Sequence, residues 1–276
     1  MRLGARLIVS LLLGIALISP ALAAGATVDP GLAAAIAAPE RSANFVARDG
    51  ARHPAEELTF FGLKPNLTVL ELWPGAGYWT EILAPYLSLK GQYGVVLPFP
   101  GDDKEEDAVV KRWHDRIGPH KGRYGTISEA MLGPKHLDIA QPGSVDLILT
   151  FRNLHNWMEA GYADEALAAC FKALKPGGIL GVEDHRGRTD ANQDPKAQSG
   201  YVREDYAIAL ARKAGFEFVG HSEINANPRD TKDYPQGVWT LPPTLTLGDK
   251  DREKYVAIGE SDNFVLKFRK PLAADH

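Results

Sequence analysis

TVLELWPGAGYWTEIL, residues Thr68 to Leu83, runs from a short apolar stretch through an acid and Pro74-Gly75-Ala76-Gly77 into an amphipathic helix pattern. Glycines at 75 and 77 permit backbone dihedrals closed to other residues and let a ligand approach the chain closely. The free N–H groups at the start of the following helix can bind an acidic or polar group. Glycine also marks plain tight turns, so the meaning of the stretch depends on where it falls among its neighbours.

It falls at the head of an alternating series. Thr68–Leu72 reads as a strand, Trp79–Leu87 as a helix, Tyr93–Leu97 as a strand and Glu105–Ile117 as a helix. Arg123–Ile127 reads as a weak strand, followed by an irregular stretch with Gly133-Pro134. Val145–Phe151 is a buried strand, Ala163–Leu174 a helix closed by Pro176-Gly177-Gly178, and Ile179–Glu183 a strand. Arg203–Ala214 is a helix, Glu217–His221 a strand, and Asn263–Phe268 a final strand. Strands separated by helices of about ten residues need crossover connections, so the expected fold is α/β, doubly wound, with a mostly parallel sheet and helices on both faces. Short helices over about 30–62 precede the series. A Pro-rich stretch over about 225–260 is expected to be a lid-like insertion. A single domain over 24–276 is favoured.

In such sheets the ligand crevice lies beyond the carboxyl ends of the strands, where the strand order reverses. The Glu71-to-Gly77 turn belongs to that edge. So does FRNLHNW after the strand ending at Phe151, which sets Arg152, Asn153, His155 and Asn156 on the rim. Glu183-Asp184-His185-Arg186 follows the next strand, so His155 and His185 can approach each other. Two histidines with Glu183 or Asp184 are possible metal ligands. Their spacing matches no known metal motif, and no metal is expected. Trp73 and Trp79 stay open between packing the turn onto helices and stacking on a ligand.

VLELWPGAGYWTEILAPYL, GSVDLILTFRNLHNW and LKPGGILGVEDHR resemble, in order and spacing, the class I S-adenosylmethionine-dependent methyltransferases, in particular a bacterial group with an exported N-terminus. The resemblance covers about residues 40 to 270. It implies a Rossmann-like sheet of seven strands ending in an antiparallel strand pair, with S-adenosylmethionine as cofactor. Glu71, Gly75, Ala76, Gly77 and Tyr78 would hold the cofactor, and His155 with Asn153 would orient or deprotonate a small-molecule acceptor. His185, Glu183 and Trp239 would face that acceptor. Two departures stand out. Trp73 replaces an earlier glycine of the motif, and the second strand, in GVVLPFPGDD, ends without the acid that binds ribose. Asp102 or Asp103 would have to reach back.

The chain has 276 residues, 45% hydrophobic and 24% charged, with a net charge of −4. That balance excludes attraction to nucleic acid or an anionic membrane as an organising principle. The single cysteine, Cys170, lies on the apolar face of a helix, so no internal disulfide or cysteine metal site is available. Arg2 and Arg6, an apolar run from Leu7 to Ile18, and Ala21-Leu22-Ala23 read as a secretory signal peptide over 1–23, with no stable membrane insertion after cleavage and the bacterial periplasm as destination. An uncleaved anchor is the other reading. An exported chain and a cofactor made in the cytoplasm pull against each other. This keeps open an exported metal-assisted hydrolase using His155, His185 and Glu183, or a non-catalytic ligand-binding protein. The expected outcome of mass spectrometry on natively expressed protein is a terminus after Ala23; an intact Met1 terminus would refute the signal reading.

Overall fold

A computed structural model describes residues 27–99 and 104–272. The expected signal peptide, and Asp102 and Asp103 with it, lie outside the described residues. Among those described, no helix is long and apolar enough to cross a membrane.

The helices are α1 (Pro30–Ile36), α2 (Ala43–Val46), α3 (Asp49–Arg52), α4 (Pro54–Phe61), α5 (Thr80–Leu87), α6 (Lys104–Ile117), α7 (Lys121–Tyr124), α8 (Leu154–Glu159), α9 (Ala163–Ala173), α10 (Glu204–Lys213) and α11 (Arg252–Ile258). The strands are β1 (Thr68–Leu72), β2 (Gln92–Pro98), β3 (Ile127–Leu132), β4 (Val145–Phe151), β5 (Leu174–His185), β6 (Glu217–Ser222) and β7 (Asn263–Arg269). Local chemistry sets the helix ends. Asp29 caps α1 by accepting the Gly31 and Leu32 N–H groups at 2.9 and 3.1 Å, and Pro54 opens α4, where its missing N–H is no loss. Gly62, at φ +86°, closes α4 in the left-handed conformation.

The sheet order is β3-β2-β1-β4-β5-β7-β6. The first five strands in that order are parallel, and β7 runs antiparallel to both β5 and β6. The order reverses between β1 and β4, whose ends are paired at Leu72 and Thr150. Alternation along the central strands feeds two cores. Leu70, Ile148, Leu180 and Leu266 pack against α8, α9 and α10, whereas Val69, Val95, Leu149 and Val265 pack against α1, α4 and α5. Cys170 is fully buried in the first core, where burial pushes its thiol up to about 12, so it is filler rather than a nucleophile.

One expectation changes, and two stretches gain elements that the sequence reading did not assign. Arg123–Ile127 is not a strand: α7 occupies Lys121–Tyr124, and β3 begins at Ile127 and continues to Leu132. The edge position explains the misreading, since only Leu132 of β3 is buried and the exposed Ser128 and Glu129 dilute its strand pattern. Residues 154–159 form α8, whose single turn and a half is too short to show a period. The stretch over 225–260 is not structureless, because it holds a 3₁₀ turn (Gly237–Thr240) and α11.

Helix α4 reaches the sheet through Gly181 of β5. A Cβ there would stand 2.7 Å from Phe61 Cδ1 and 2.9 Å from Leu149 Cδ2, both fully buried. Gly181→Ala is expected to lower unfolding free energy by about 1–3 kcal/mol through overpacking. The readout is a lower urea midpoint with an unchanged slope.

Candidate functional site

The turn after β1 adopts the backbone its composition requires. Trp73, Gly75 and Gly77 all have positive φ, at +48°, +59° and +96°. A Cβ on Gly75 would meet nothing within 4 Å, whereas one on Gly77 would touch Ile117 at 3.4 Å. Gly75 therefore faces open space, and Gly77 lets α6 close in. Trp79 is buried and stacks on Phe151 with centroids 4.1 Å apart and an 18° tilt. Trp73 lies edge-on to Trp157 at 6.2 Å. Both tryptophans pack the turn, and both also form part of a cavity wall, Trp79 buried and Trp73 half-buried.

Glu71 and Tyr78 are committed to interior partners. Alternation turns Glu71 toward α5, where its Oε2 accepts hydrogen bonds from the Tyr93 hydroxyl and, at 3.2 Å, from Thr80 Oγ1. Burial raises its carboxyl to about 7 against the opposing pull of those two donors. The Tyr78 hydroxyl donates to Asp49 Oδ1 at 2.6 Å, and the Arg52 guanidinium lies 4.3 Å from its ring centroid. Both residues touch the cavity, but the Tyr78 hydroxyl is occupied in tying the N-terminal helices to the turn.

Across the strand-order reversal, Asn153 bridges the ends of β1 and β4. Its Nδ2 donates to Leu72 O at 3.0 Å and Thr150 Oγ1 at 3.2 Å. Its amide nitrogen ties the residue before α8 to the end of β1, and the side chain also lines the cavity over the turn. The second residue of α8 is His155, whose backbone N–H and Nδ1 meet Asp184 Oδ2 and Oδ1 at 3.1 and 2.8 Å. Asp184 also accepts the His185 N–H at 2.7 Å. Burial alone would raise the Asp184 carboxyl, but the charge and hydrogen bond of His155 hold it below its ordinary value.

His185 and Glu183 sit beside this pair with partners of their own. The His155 and His185 rings are 5.1 Å apart between centroids, and His185 Nδ1 lies 2.7 Å from Ser261 Oγ and 2.9 Å from Asn263 Oδ1. Burial pushes His185 down to about 3, so it is neutral near pH 7. Glu183 faces the other side of β5, against α4. There Asn225 Nδ2 donates to Glu57 Oε2 at 2.7 Å and to Glu183 Oε1 at 3.1 Å. Burial raises both carboxyls, Glu183 to about 7, and each keeps one oxygen without a partner. Trp239, from the segment 225–260, lies edge-on to His155 with centroids 6.0 Å apart.

His155, Asp184 and His185 each offer a ligand atom within 4.8 Å of the others. A two-histidine, one-carboxylate set of this kind suits several transition metals. The Asp184 oxygens, however, already accept three N–H bonds, so metal ligation would compete with the contacts that hold both histidines. The donor set suits an oriented histidine better than a metal.

A cavity of about 250 Å³ opens above the turn, lined by Gly75, Ala76, Trp73, Phe151 and Asn153 and by Arg48, Arg52 and Arg152. The sequence reading missed Arg48, Arg52 and Glu260, which meet here from far apart in the chain. It had Asp184 only within EDHR; the two-residue period of a strand separates it from Glu183 and could have assigned it to the His155 face.

Glu71 generates a pH prediction. A carboxyl raised from 4.5 to about 7 by folding contributes stability that is fully present below 4.5 and lost as pH rises through about 7. A shift of that size is worth on the order of 3 kcal/mol. Glu71→Gln is expected to lose that part of the fall, which urea unfolding of both forms at about pH 5 and about pH 8 would measure. Identical slopes with pH would refute it.

No protein-family model and no curated protein matches the chain. Solved structures do. A putative sarcosine dimethylglycine methyltransferase from Galdieria sulphuraria superposes with a TM-score of 0.53 at 15% identity, over 82% of this chain and 86% of that one. An S-adenosylmethionine-dependent methyltransferase from Aquifex aeolicus gives 0.51 at 18% identity, over 81% and 93%. The [4+2]-cyclase SpnF gives 0.52 at 17%, over 78% of each. The chain has the Rossmann-like methyltransferase fold: a seven-stranded, mostly parallel sheet with an antiparallel C-terminal pair.

Proposed function

We propose that this protein binds S-adenosylmethionine across the turn 73–78 and transfers its methyl group to a small-molecule acceptor, with His155 taking the acceptor's proton. The observation that carries the reading is the buried His155–Asp184 pair, which follows Asn153, itself bound to the end of β1 where the strand order reverses.

The residues fit part of the cofactor. Gly75 leaves room where a side chain would stand. At the other end, β2 closes on Leu97 and Pro98 with no acid for ribose, and residues 100–103 after it lie outside the described residues. When bound, the cofactor supplies an electrophilic methyl group on a sulfonium centre. Everything else falls to the chain. Asp184, ionised, accepts from His155 Nδ1–H and so leaves the lone pair on Nε2. An O–H, N–H or S–H acceptor placed against Nε2 gives up its proton there as its heavy atom takes the methyl group, and Asp184 stabilises the imidazolium that results. Trp239 covers His155 from the side of the segment 225–260, which supports reading that segment as a lid. Segment 1–23, with its signal-like pattern, supports action outside the cytoplasm.

Calorimetric titration with S-adenosylmethionine and S-adenosylhomocysteine tests the reading, and binding of neither would overturn it. With labelled methyl donor and a panel of small hydroxyl, amine and thiol acceptors, His155→Ala is expected to lower turnover by about 10² to 10⁴ while S-adenosylhomocysteine affinity stays near the parent value. Full activity in that variant would remove His155 from the chemistry.

A further inference from the structure

Three arginines from separate parts of the chain converge over the glycine turn. Arg48, just before α3, donates from Nε and Nη2 to the two oxygens of Glu260 at 2.6 and 2.7 Å. Arg152, directly after β4, donates from Nη1 to Glu260 Oε2 at 3.0 Å. Arg52, the last residue of α3, has its Nε 3.7 Å from that same oxygen, beyond hydrogen-bond reach. Its Nε has no partner, although the residue is only 3% exposed. All three arginines line the cavity above Gly75 and Ala76.

The charges there do not balance. Three guanidinium groups share one carboxylate, that of Glu260. Asp49 is held by Arg41 at 2.6 Å and by Tyr78, and Glu183, whose carboxyl Arg152 also acts on, accepts from Asn225 and Asn263. Glu71 on the cavity wall is engaged by Tyr93 and Thr80. A buried guanidinium with an empty donor is unfavourable until an acceptor arrives, and its planar fork matches a carboxylate or phosphate.

We propose that this cavity is an anion subsite, which takes a carboxylate or phosphate group of a bound ligand on Arg52, with Arg48 and Arg152 drawn partly away from Glu260. Glu260 is the internal competitor. It stands two residues past the end of α11, so an anion that replaces it also loosens the anchor of the segment 225–260. The anion can belong to the amino-acid end of the cofactor or to the acceptor. The subsite itself does not depend on methyl transfer.

The test uses the full chain, three probes and constant ionic strength: inorganic phosphate, S-adenosylhomocysteine, and methylthioadenosine, which lacks the amino-acid carboxylate. Glu260→Gln removes the competitor and is expected to tighten phosphate binding about threefold or more, which loss of a merely structural ion pair would not do. Arg52→Lys keeps the charge but loses the fork, and should weaken phosphate by about tenfold. If S-adenosylhomocysteine outbinds methylthioadenosine in the parent and loses that advantage in Arg52→Lys, the cofactor supplies the anion. If the two bind alike while phosphate follows the variants, the acceptor supplies it. Should Arg52→Lys not fold, Arg48→Gln at the half-buried rim gives the same readout. Phosphate that binds neither parent nor Glu260→Gln, with the two adenosyl compounds equal, overturns the subsite. Failure of both adenosyl compounds in the parent defeats methyl transfer while the phosphate arm still decides the subsite.

Discussion

The site depends on one topological constraint, the reversal of strand order between β1 and β4. Chains leaving two adjacent parallel strands in opposite directions cannot cover the gap they open, so a crevice forms at their carboxyl ends. Asn153 spans that gap, joining Leu72 and Thr150 with one amide nitrogen. Through it the start of α8, which carries His155, is bound to the end of β1, from which the glycine turn departs. The same side chain lines the cavity over the turn.

Beside the crevice, the end of β5 sorts charge by face. Glu183 and Asp184 are neighbours in sequence, yet the pleat sends them to opposite sides of the sheet. On one side Asp184 finds three N–H donors and stays ionised. On the other, Glu183 meets Glu57 across Asn225, and two buried acids so placed retain protons more readily than free ones. Identical chemistry one residue apart thus becomes a fixed negative charge in one place and a proton-holding pair in the other.

The structural likenesses set the fold and leave the reaction to the site. A cyclase and two methyltransferases superpose on this chain with TM-scores of 0.51 to 0.53, so the sheet alone does not choose among chemistries. The features that bear on the reaction are local. The chain has a tryptophan at positive φ in the turn, a second strand that ends on proline, and a cavity lined by three arginines that share Glu260.

The sequence by itself determined the alternating strands and helices, the turn and the edge of the sheet on which it lies. These follow from local periods and from glycine's backbone freedom, which neighbouring residues already encode. It also brought His155 and His185 to one rim, since consecutive parallel strands end side by side. It misread β3, because an edge strand with one exposed face has little apolar pattern to show. Only the tertiary structure decided the partners: Asp184 for His155, Tyr93 for Glu71, and Glu260, 212 residues away, for Arg48. Such pairs depend on the twist of a sheet and the docking of short helices, and no spacing along the chain records where two distant segments meet.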